Sequence, residues 1–169
     1  LYLILAEATA WFREQLTRSE RAAAYFERRG VGSEMIERYQ LGYAPDGWEG
    51  LSSRLGKGPD RVKLLAAAGL LSQRDNGQSY DKFRDRVMFP IHDRRGRPIA
   101  FGGRILDQGE PKYLNSPETA LFHKGRELYG LWQARQSAQK LKRLIVVEGY
   151  MDVMQAHQAG FTNVVAQMG

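Results

Sequence analysis

Apolar residues recur every three or four positions at the start of the chain, as they do on the buried face of a helix: Leu5, Ala8, Phe12 and Leu16. Thr17 and Glu20 have the spacing of a capping box, so a second helix should begin there. Gly30 is the expected end of that helix, since glycine favours the left-handed backbone that follows a last helical turn. The start of the chain is therefore predicted to be a pair of helices.

Shorter helices and a loop are predicted next. Ser33 has the position of a cap on a third helix, which should stop near Gly42. Residues 42–59 are rich in glycine and proline and are predicted to form a loop around one short helix. Residues 60–68 should form another helix, which Gly69 closes.

Beyond Gly69 the pattern favours strands. Asn76 and Gly77 are typical of a hairpin turn between two short extended runs. Residues 86–92 are predicted to form a strand, and residues 98–106 its returning partner. The sequence therefore predicts a small antiparallel sheet in the middle of the chain.

Two glycines and a proline interrupt this strand pair. Gly102 and Gly103 lie inside the returning strand, where a missing side chain indicates a bulge or a close approach to backbone or ligand. Pro90 cannot donate a hydrogen bond to a sheet, so it marks an edge or a bulge. We expect other groups to contact the sheet at these positions.

The last part of the chain is predicted to be a loop followed by alternating helices and strands. Residues 107–119 are predicted to be loop, and residues 127–142 a helix. Strands over 143–147 and 162–166 should flank a helix that ends at about Ala159. A strand–helix–strand unit predicts a parallel pair with a right-handed crossover. The predicted class is therefore α+β: a helical entry segment and an antiparallel sheet, followed by this α/β unit.

Composition narrows the function. The 169 residues suffice for about one domain, and no uncharged run is long enough to predict a transmembrane helix. The chain has no cysteine, which excludes disulfides and thiolate zinc sites within it and fits a reducing compartment. A formal charge of +6 favours a polyanionic partner, although a soluble protein can simply be basic. The start lacks an initiator Met, so we expect an internal piece of a longer protein.

A strand over 144–147 should deliver the carboxylate of Glu148 to its C-terminal end, where ligands of open α/β sheets bind. Gly149 allows a tight turn, and Asp152 follows one helical turn after Glu148. Two convergent carboxylates suit a hard divalent ion such as Mg²⁺. The alternative is that both acids only favour the start of a helix through its dipole. Two acids would also leave a two-metal site incomplete.

A basic series runs through the middle of the chain: Lys82, Arg84, Arg86, Arg94, Arg95, Arg97, Arg104, Lys112 and Lys124. The first three alternate, so on a strand they would share one face and could track a phosphate backbone. The aromatic residues that could stack bases beside them are Trp48, Tyr80, Phe83 and Tyr113. The alternative is a solvated strand face above core aromatics. We favour the core for Phe83 and Phe89, and a solvated turn for Arg94, Arg95 and Arg97.

The segments 111–119 and 122–125 are polar, bracketed by prolines and rich in hydrogen-bond donors. Lysine can neutralise a triphosphate, tyrosine can stack a base, and asparagine can read a base edge or a sugar. A structured surface loop is the alternative, and His123 is expected to be structural rather than an acid or base. No catalytic triad and no Walker phosphate loop occurs.

Several strings, in order and with suitable spacing, resemble bacterial DnaG-type primases: K-F-R-D-R-V-M-F-P-I at 82–91, F-G-G-R at 101–104, 112–119 with H-K-G at 123–125, and V-E-G-Y-M-D-V at 147–153. Residues 25–44 are similar to the helical entry segment of that family. The string E-G-Y-x-D alone would mark only a TOPRIM-type domain, the fold shared with topoisomerases.

The resemblance implies a three-part protein, with an N-terminal zinc-binding domain, a central RNA polymerase region and a C-terminal helicase-binding domain. Residues 1–142 would be the basic, template- and nucleotide-binding subdomain, and residues 143–169 the start of the TOPRIM domain. The intact protein would use Mg²⁺ or Mn²⁺, and zinc only in the N-terminal domain, which this chain lacks.

The resemblance also implies roles for individual residues. Those similar to template-contacting residues are Arg29, Trp48, Lys82, Arg84, Lys112 and Lys124. Those similar to residues that hold the incoming nucleotide, in a pocket implicated in alarmone inhibition, are Arg29, Lys112, Tyr113, Asn115, His123 and Lys124. Glu148 resembles the essential TOPRIM glutamate and metal ligand of the family, and Asp152 its accompanying acid.

The implied activity is the synthesis of short RNA primers on single-stranded DNA from ribonucleoside triphosphates, at the replication fork in the cytoplasm. Alarmone nucleotides, the replicative helicase and single-strand-binding protein are implied partners, the last two through missing regions, and no membrane is implied. The later Asp-x-Asp metal motif of the family is missing, so we expect this chain alone to bind template or nucleotide without catalysis. The alternatives are another TOPRIM enzyme, such as a topoisomerase or nuclease, and a non-enzymatic nucleic-acid-binding module.

Overall fold

The computed structural model describes residues 1–137 and 140–168. Its helices are α1 (Tyr2–Thr17), α2 (Glu20–Arg28), α3 (Ser33–Arg38), α4 (Gly50–Leu55), α5 (Pro59–Ala67), α6 (Leu131–Ser137) and α7 (Tyr150–Gln158), with a 3-10 turn at Lys124–Arg126. Its strands are β1 (Gly42–Ala44), β2 (Leu71–Gln73), β3 (Ser79–Asp81), β4 (Arg86–His92), β5 (Pro98–Ile105), β6 (Tyr113–Asn115), β7 (Leu128–Tyr129), β8 (Ile145–Val147) and β9 (Val164–Gln167). The predicted α+β class is confirmed.

A four-stranded antiparallel sheet in the order β1-β4-β5-β6 lies at the centre of the fold. All seven residues of β4 are buried, because helices cover both faces of the sheet. Met88 packs in one apolar cluster with residues of α1, while Val87 and Phe89 pack in a second cluster with residues of α2 and α7. The alternation of side chains along a strand produces this division.

The two predicted entry helices are confirmed, but the cap between them is not Thr17. The Thr17 hydroxyl donates to the Glu14 carbonyl inside α1, at 2.7 Å. Ser19 caps α2 instead, and its hydroxyl accepts a hydrogen bond from the backbone N–H of Ala22 at 3.1 Å. The helix then ends before Gly30, which has a φ of +72°.

The predicted third helix is present, but its ends differ from the prediction. Gly32 occupies the cap position, and Ser33 is the first helical residue. Gly42 does not stop this helix, because it begins β1. A Cβ at Gly42 would lie 2.6 Å from the Cβ of Phe12, so the glycine lets β1 pass close to α1.

The predicted strands β4 and β5 and the hairpin between β2 and β3 are confirmed. The β4–β5 pair has a bulge at Ile99. Ile91 pairs with Ala100 and His92 with Pro98, so Ile99 between them has no partner. The β1–β4 pairing ends at Met88, so Pro90 has no strand beside it on the β1 side. The prediction that Pro90 marks an edge is therefore correct for that side of β4.

The second sheet has the order β7-β9-β8, and β8 and β9 are parallel, as predicted. The predicted helix over 127–142 is wrong at its start, because Leu128 and Tyr129 pair with β9, and Gly130 turns the chain with a φ of +84° before α6. Residues 138 and 139, on which part of that prediction falls, lie outside the described residues. Residues 140–144 are not helical.

No helix among the described residues has the length and apolar character needed to cross a membrane.

Buried histidines make the stability of this fold sensitive to acid. Nε2 of His92 donates to the side-chain oxygen of Gln40 at 2.8 Å, and its Nδ1 accepts from Gln133 at 3.2 Å, which is the pattern of a neutral imidazole. Burial lowers the pKa of His92 from 6.5 to about 4. Burial also lowers the pKa of His157, whose Nε2 contacts the Val164 carbonyl at 3.0 Å.

We predict that the free energy of unfolding falls as the pH drops from 6.5 towards 4, because the unfolded chain then binds a proton that folded His92 rejects. The contribution of His92 is fully present above pH 6.5, and its loss amounts to ~3 kcal/mol. Urea unfolding of His92→Gln at several pH values should show a flatter profile. The control His123→Gln, at an exposed position, should keep the slope of the parent; equal slopes for both variants would contradict the prediction.

Candidate functional site

The short strand β6 separates two clefts. Its register pairs Asn115 with Gly102 and Tyr113 with Arg104. Tyr113 and Asn115 point to one face and Leu114 to the other, since side chains alternate along a strand. Tyr113 and Asn115 line a cleft of about 420 Å³, and Leu114 lines a second of about 400 Å³.

We call the first the acidic cleft; it is lined by Tyr113, Asn115, Glu148, Tyr150, Asp152 and Gln167. Glu148 follows the C-terminal end of β8, as predicted, and Asp152 lies in the first turn of α7. A Cβ at Gly149 would lie 3.1 Å from Oδ2 of Asp152, so the glycine leaves room for this carboxylate. Both carboxylates are exposed, and neither pairs with another described residue.

The donor set of the acidic cleft fits part of a site for a hard divalent cation. Glu148 and Asp152 supply carboxylate oxygens, which Mg²⁺ prefers, and such ions keep several waters and bind substrate phosphates as well. Within residues 1–137 and 140–168 no group of three or more metal-ligating side chains occurs. The two acids therefore suit a cation only together with further ligands.

Tyr150 joins the acidic cleft to the central sheet. Its ring stacks on Phe89 with centroids 4.9 Å apart and planes at 8°, and meets Tyr129 edge-on at 4.6 Å. Its hydroxyl donates to Oδ1 of Asn115 at 2.5 Å. Burial raises the pKa of Tyr150, so the phenol stays protonated near neutral pH. Sequence reasoning missed this role, because nothing in the E-G-Y string shows where the ring packs.

The glycine pair in β5 serves two close approaches on opposite faces of the sheet. A Cβ at Gly102 would lie 2.3 Å from the hydroxyl oxygen of Tyr150. A Cβ at Gly103 would lie 3.1 Å from the side chains of Phe83 and Arg86. The glycine pair therefore marks a close approach, as predicted, but the approaching groups are side chains rather than backbone or ligand. The bulge lies at Ile99 instead.

We call the second cleft the basic groove; it is lined by Trp48, Lys82, Arg84, Arg86, Pro111 and Leu114, together with acidic residues. Trp48 is 53% exposed, and Arg84 lies over its ring at 4.1 Å from the centroid. Arg74 lies over the same ring at 4.8 Å, and Tyr80 meets it edge-on at 5.3 Å. Sequence reasoning missed Arg74, because a lone basic residue beside a hairpin turn carries no distinguishing signal.

Asp81 holds this aromatic–cation cluster in place. Its buried carboxylate accepts hydrogen bonds from the backbone N–H groups of Leu51 and Ser52, at 2.7 and 3.0 Å, and so caps α4. Its own N–H donates to the Trp48 carbonyl at 2.8 Å, while the Arg84 guanidinium donates to the Asp81 carbonyl at 2.7 Å. Trp48 and Arg84 are thereby tied to one residue at the end of β3.

The prediction that Lys82, Arg84 and Arg86 share one face of a strand is wrong. Residues 82–85 form an irregular connection between β3 and β4, and Asp85 has a φ of +49°. Lys82, Arg84 and Arg86 nevertheless line the same groove. Phe83 is buried in the core, as predicted.

One acid of the groove is ion-paired, and several cations of the groove lie close together. Arg21 donates to both oxygens of Asp85, at 2.9 and 2.8 Å, and this contact lowers the pKa of Asp85. The pKa of Lys82 is lowered first by burial and then by Lys124 and Arg86, which shows that cations crowd here. A polyanion would relieve this repulsion.

Arg86 lines the groove and has a structural role. It is 4% exposed, and its guanidinium donates to the carbonyls of Pro111 and Lys112 at 2.6 and 3.3 Å. These bonds hold the chain segment that enters β6. Lys112 itself has an exposed side chain.

The remaining predicted residues lie outside the two linings. Glu118 binds the turn that carries His123 and Lys124, with Nδ1 of His123 and the backbone N–H of Lys124 each 2.9 Å from its carboxylate. One nitrogen of His123 therefore has a structural partner. Arg29 is exposed at the end of α2, and its carbonyl accepts a hydrogen bond from Gln155 of α7 at 3.0 Å.

Family models agree with this architecture. The model of the DNA primase catalytic core, N-terminal domain, matches residues 11–135, and the Toprim domain model matches residues 142–169. The fold is that of part of a primase catalytic core. A DNA primase of Escherichia coli is 47% identical over 100% of this chain. The chain belongs to the bacterial DNA primase family, and it spans 29% of the length of that relative.

Solved structures of primases superpose on nearly the whole chain. A DNA primase domain from Pseudomonas aeruginosa superposes with a TM-score of 0.95 at 49% identity, over 99% of this chain and 54% of that one. A DnaG primase catalytic domain bound to single-stranded DNA superposes with a TM-score of 0.93 at 46% identity, over 99% of this chain and 53% of that one.

We predict that Gly102→Ala destabilises the fold by about 1–3 kcal/mol, because the new methyl group would overlap the Tyr150 ring, which Phe89 and Tyr129 hold in place. Chemical denaturation measures the loss. Gly125→Ala is the matched control, since a Cβ there meets nothing within 4 Å and should leave stability nearly unchanged. Equal stability of the two variants would show that the Tyr150 ring is not confined by the sheet.

Proposed function

We propose that the protein to which this chain belongs is a DNA-directed RNA polymerase that synthesises short RNA primers on single-stranded DNA. The observation that carries this proposal is the arrangement around β6, with a basic groove on one face and an acidic cleft on the other. A template strand in the groove would lie next to a site for nucleotide and cation. Membership of the primase family supports the same activity.

In this proposal the template contacts the basic groove. Lys82 and Arg84 would balance backbone phosphates, and Trp48 would stack a base, as aromatic residues do in single-strand binders. Because guanidinium groups already cover the Trp48 ring, an arriving base would exchange with one of them. A similar catalytic domain is bound to single-stranded DNA, which supports single-stranded DNA as a ligand of this chain.

The incoming ribonucleoside triphosphate would occupy the acidic cleft. Tyr113 offers a half-exposed ring for a base, and Asn115 offers an amide. The residues proposed to balance or position the triphosphate are Arg29, Lys112, His123 and Lys124, which do not line the cleft itself. Alarmone nucleotides carry the same polyphosphate chemistry and would compete for these groups.

Glu148 and Asp152 would hold a divalent cation, Mg²⁺ or Mn²⁺, together with ligands from outside this chain. A bound cation supplies neutralisation of the triphosphate and activation of the primer 3′-hydroxyl. The chain's own contribution is the placement of the two carboxylates at the end of β8, opposite Tyr113 and Asn115.

We further propose a division of the chain into a template- and nucleotide-binding part, residues 1–142, and a TOPRIM part, residues 143–169. In the longer protein a zinc-binding domain would precede the first part. The replicative helicase and single-strand-binding protein would act through regions outside this chain, at the replication fork in the cytoplasm.

By itself this chain would act as a binding module. Its acidic cleft contributes two carboxylates, and no further group of metal ligands occurs among the described residues. Template binding depends only on groups that the chain carries, so binding should persist without catalysis. This second candidate function applies to the chain alone.

We predict that this chain binds single-stranded DNA with a steep dependence on salt, and that Lys82→Ala plus Arg84→Ala lowers the salt slope by about 1–2. The measurement is fluorescence anisotropy with a labelled oligonucleotide at several salt concentrations. The matched control is Arg94→Ala plus Arg95→Ala, which removes the same charge at the turn between β4 and β5, away from the groove.

An equal loss of affinity in both double variants would show that binding depends on net charge rather than on the basic groove. Binding by neither the parent nor the variants at low salt would remove the template assignment of this groove.

We predict that Glu148→Gln in the full-length protein lowers primer synthesis at least about a hundredfold, since the amide cannot replace a charged cation ligand. Affinity for single-stranded DNA should stay within about twofold of the parent, because Glu148 does not line the basic groove. Primer synthesis and anisotropy measured on the same preparation test both parts. Normal synthesis by this variant would overturn the assignment of Glu148.

A further inference from the structure

Resting on the proposed function, we propose that Tyr150 is a positioning residue: its hydroxyl orients the side-chain amide of Asn115 so that the NH₂ group faces a nucleotide in the acidic cleft. Tyr150 thereby turns Asn115 into a fixed hydrogen-bond donor. The group that it recognises is an oxygen acceptor on the ribose or base of a ribonucleoside triphosphate.

The contact between the two side chains sets the orientation. The Tyr150 hydroxyl donates a hydrogen bond to Oδ1 of Asn115, at 2.5 Å. A phenol donor requires the carbonyl side of the amide to face it. Since an amide has one oxygen and one NH₂ group, the NH₂ group is left for the cleft.

The Tyr150 hydroxyl is shielded from solvent. The residue is 8% exposed, so little water competes with Asn115 for the phenol proton.

Both partners are held by the central sheet. The Tyr150 ring is fixed between Phe89 and Tyr129, above the space that Gly102 leaves open. The backbone of Asn115 pairs with Gly102 in the β5–β6 register. Tyr150 and Asn115 thus meet over one glycine, and neither side chain moves freely.

A fixed donor discriminates more strongly than a mobile one. When a polar group is oriented towards a cleft, a ligand with no acceptor leaves it unpaired and binds more weakly. Losing Tyr150 would let the Asn115 amide rotate and satisfy itself elsewhere. The loss should therefore appear in nucleotide affinity rather than in the chemical step.

The experiment uses the full-length protein with Tyr150→Phe, which removes one oxygen and keeps the stacked ring. We expect the KM for ribonucleoside triphosphates to rise about tenfold with kcat within about twofold of the parent. Direct titration with a ribonucleoside triphosphate, without template, should show a similar loss of affinity. This second readout does not depend on primer synthesis.

Tyr129→Phe is the matched control. It removes the same atom from the neighbouring ring, whose buried hydroxyl has no hydrogen-bond partner among the described residues. Nucleotide affinity of this variant should equal that of the parent. A similar loss in both variants would show that packing, and not the bond to Asn115, is responsible, and would overturn the proposal.

A double-mutant cycle separates positioning from independent contact. Adding Tyr150→Phe to Asn115→Ala should cause no further loss of nucleotide affinity, because Tyr150 acts through Asn115. Additive losses would overturn the proposal. If Asn115→Ala alone leaves nucleotide affinity unchanged while Glu148→Gln still abolishes primer synthesis, this inference fails and the proposed function stands.

Discussion

The position of the acidic residues relative to the central sheet depends on the packing of one tyrosine. Tyr150 begins α7, the helix that carries Asp152, and its ring lies on Phe89 of β4 at a centroid distance of 4.9 Å. Only a glycine at position 102 leaves room for this ring. Because β5 also pairs with β6 through Gly102, the same contact places Asn115 beside the carboxylates.

The basic groove depends on a different constraint, the structural use of the two acids that alternate with its bases. Asp85 lines the groove but is bound by Arg21, and Asp81 is used to cap α4. These two carboxylates organise the groove without cancelling the charge of Lys82 and Arg84. The acids that alternate with these bases, Asp81 and Asp85, are thus turned towards structural partners and do not pair with Lys82 or Arg84.

The elements predicted correctly are those with a local signal: the apolar period of α1, the apolar run of β4 and the Asn-Gly turn of the hairpin between β2 and β3. The strands that were missed, β1, β6 and β7, have two or three residues, which is too short to show a period, and distant partners determine them. The prediction that Lys82 and Arg84 share one face of a strand is wrong, because residues 82–85 are irregular and Asp85 adopts a left-handed conformation. Family membership is confirmed, while the roles of individual site residues stay predictions, since side chains far apart in sequence form each cleft.

The Trp48 ring links the two kinds of template contact that the proposed function requires. Exposed cation–π contacts such as those of Arg74 and Arg84 stabilise by about 0.5–1 kcal/mol each, whereas stacking of a nucleic-acid base on an aromatic ring contributes about 1–3 kcal/mol. An exchange of guanidinium for base is therefore favourable on this ring. The displaced guanidinium remains beside the groove, where the phosphates of the same strand would lie. Stacking and phosphate neutralisation would then reinforce each other, so a substitution at Trp48 would weaken the charge-dependent part of binding as well as the stacking.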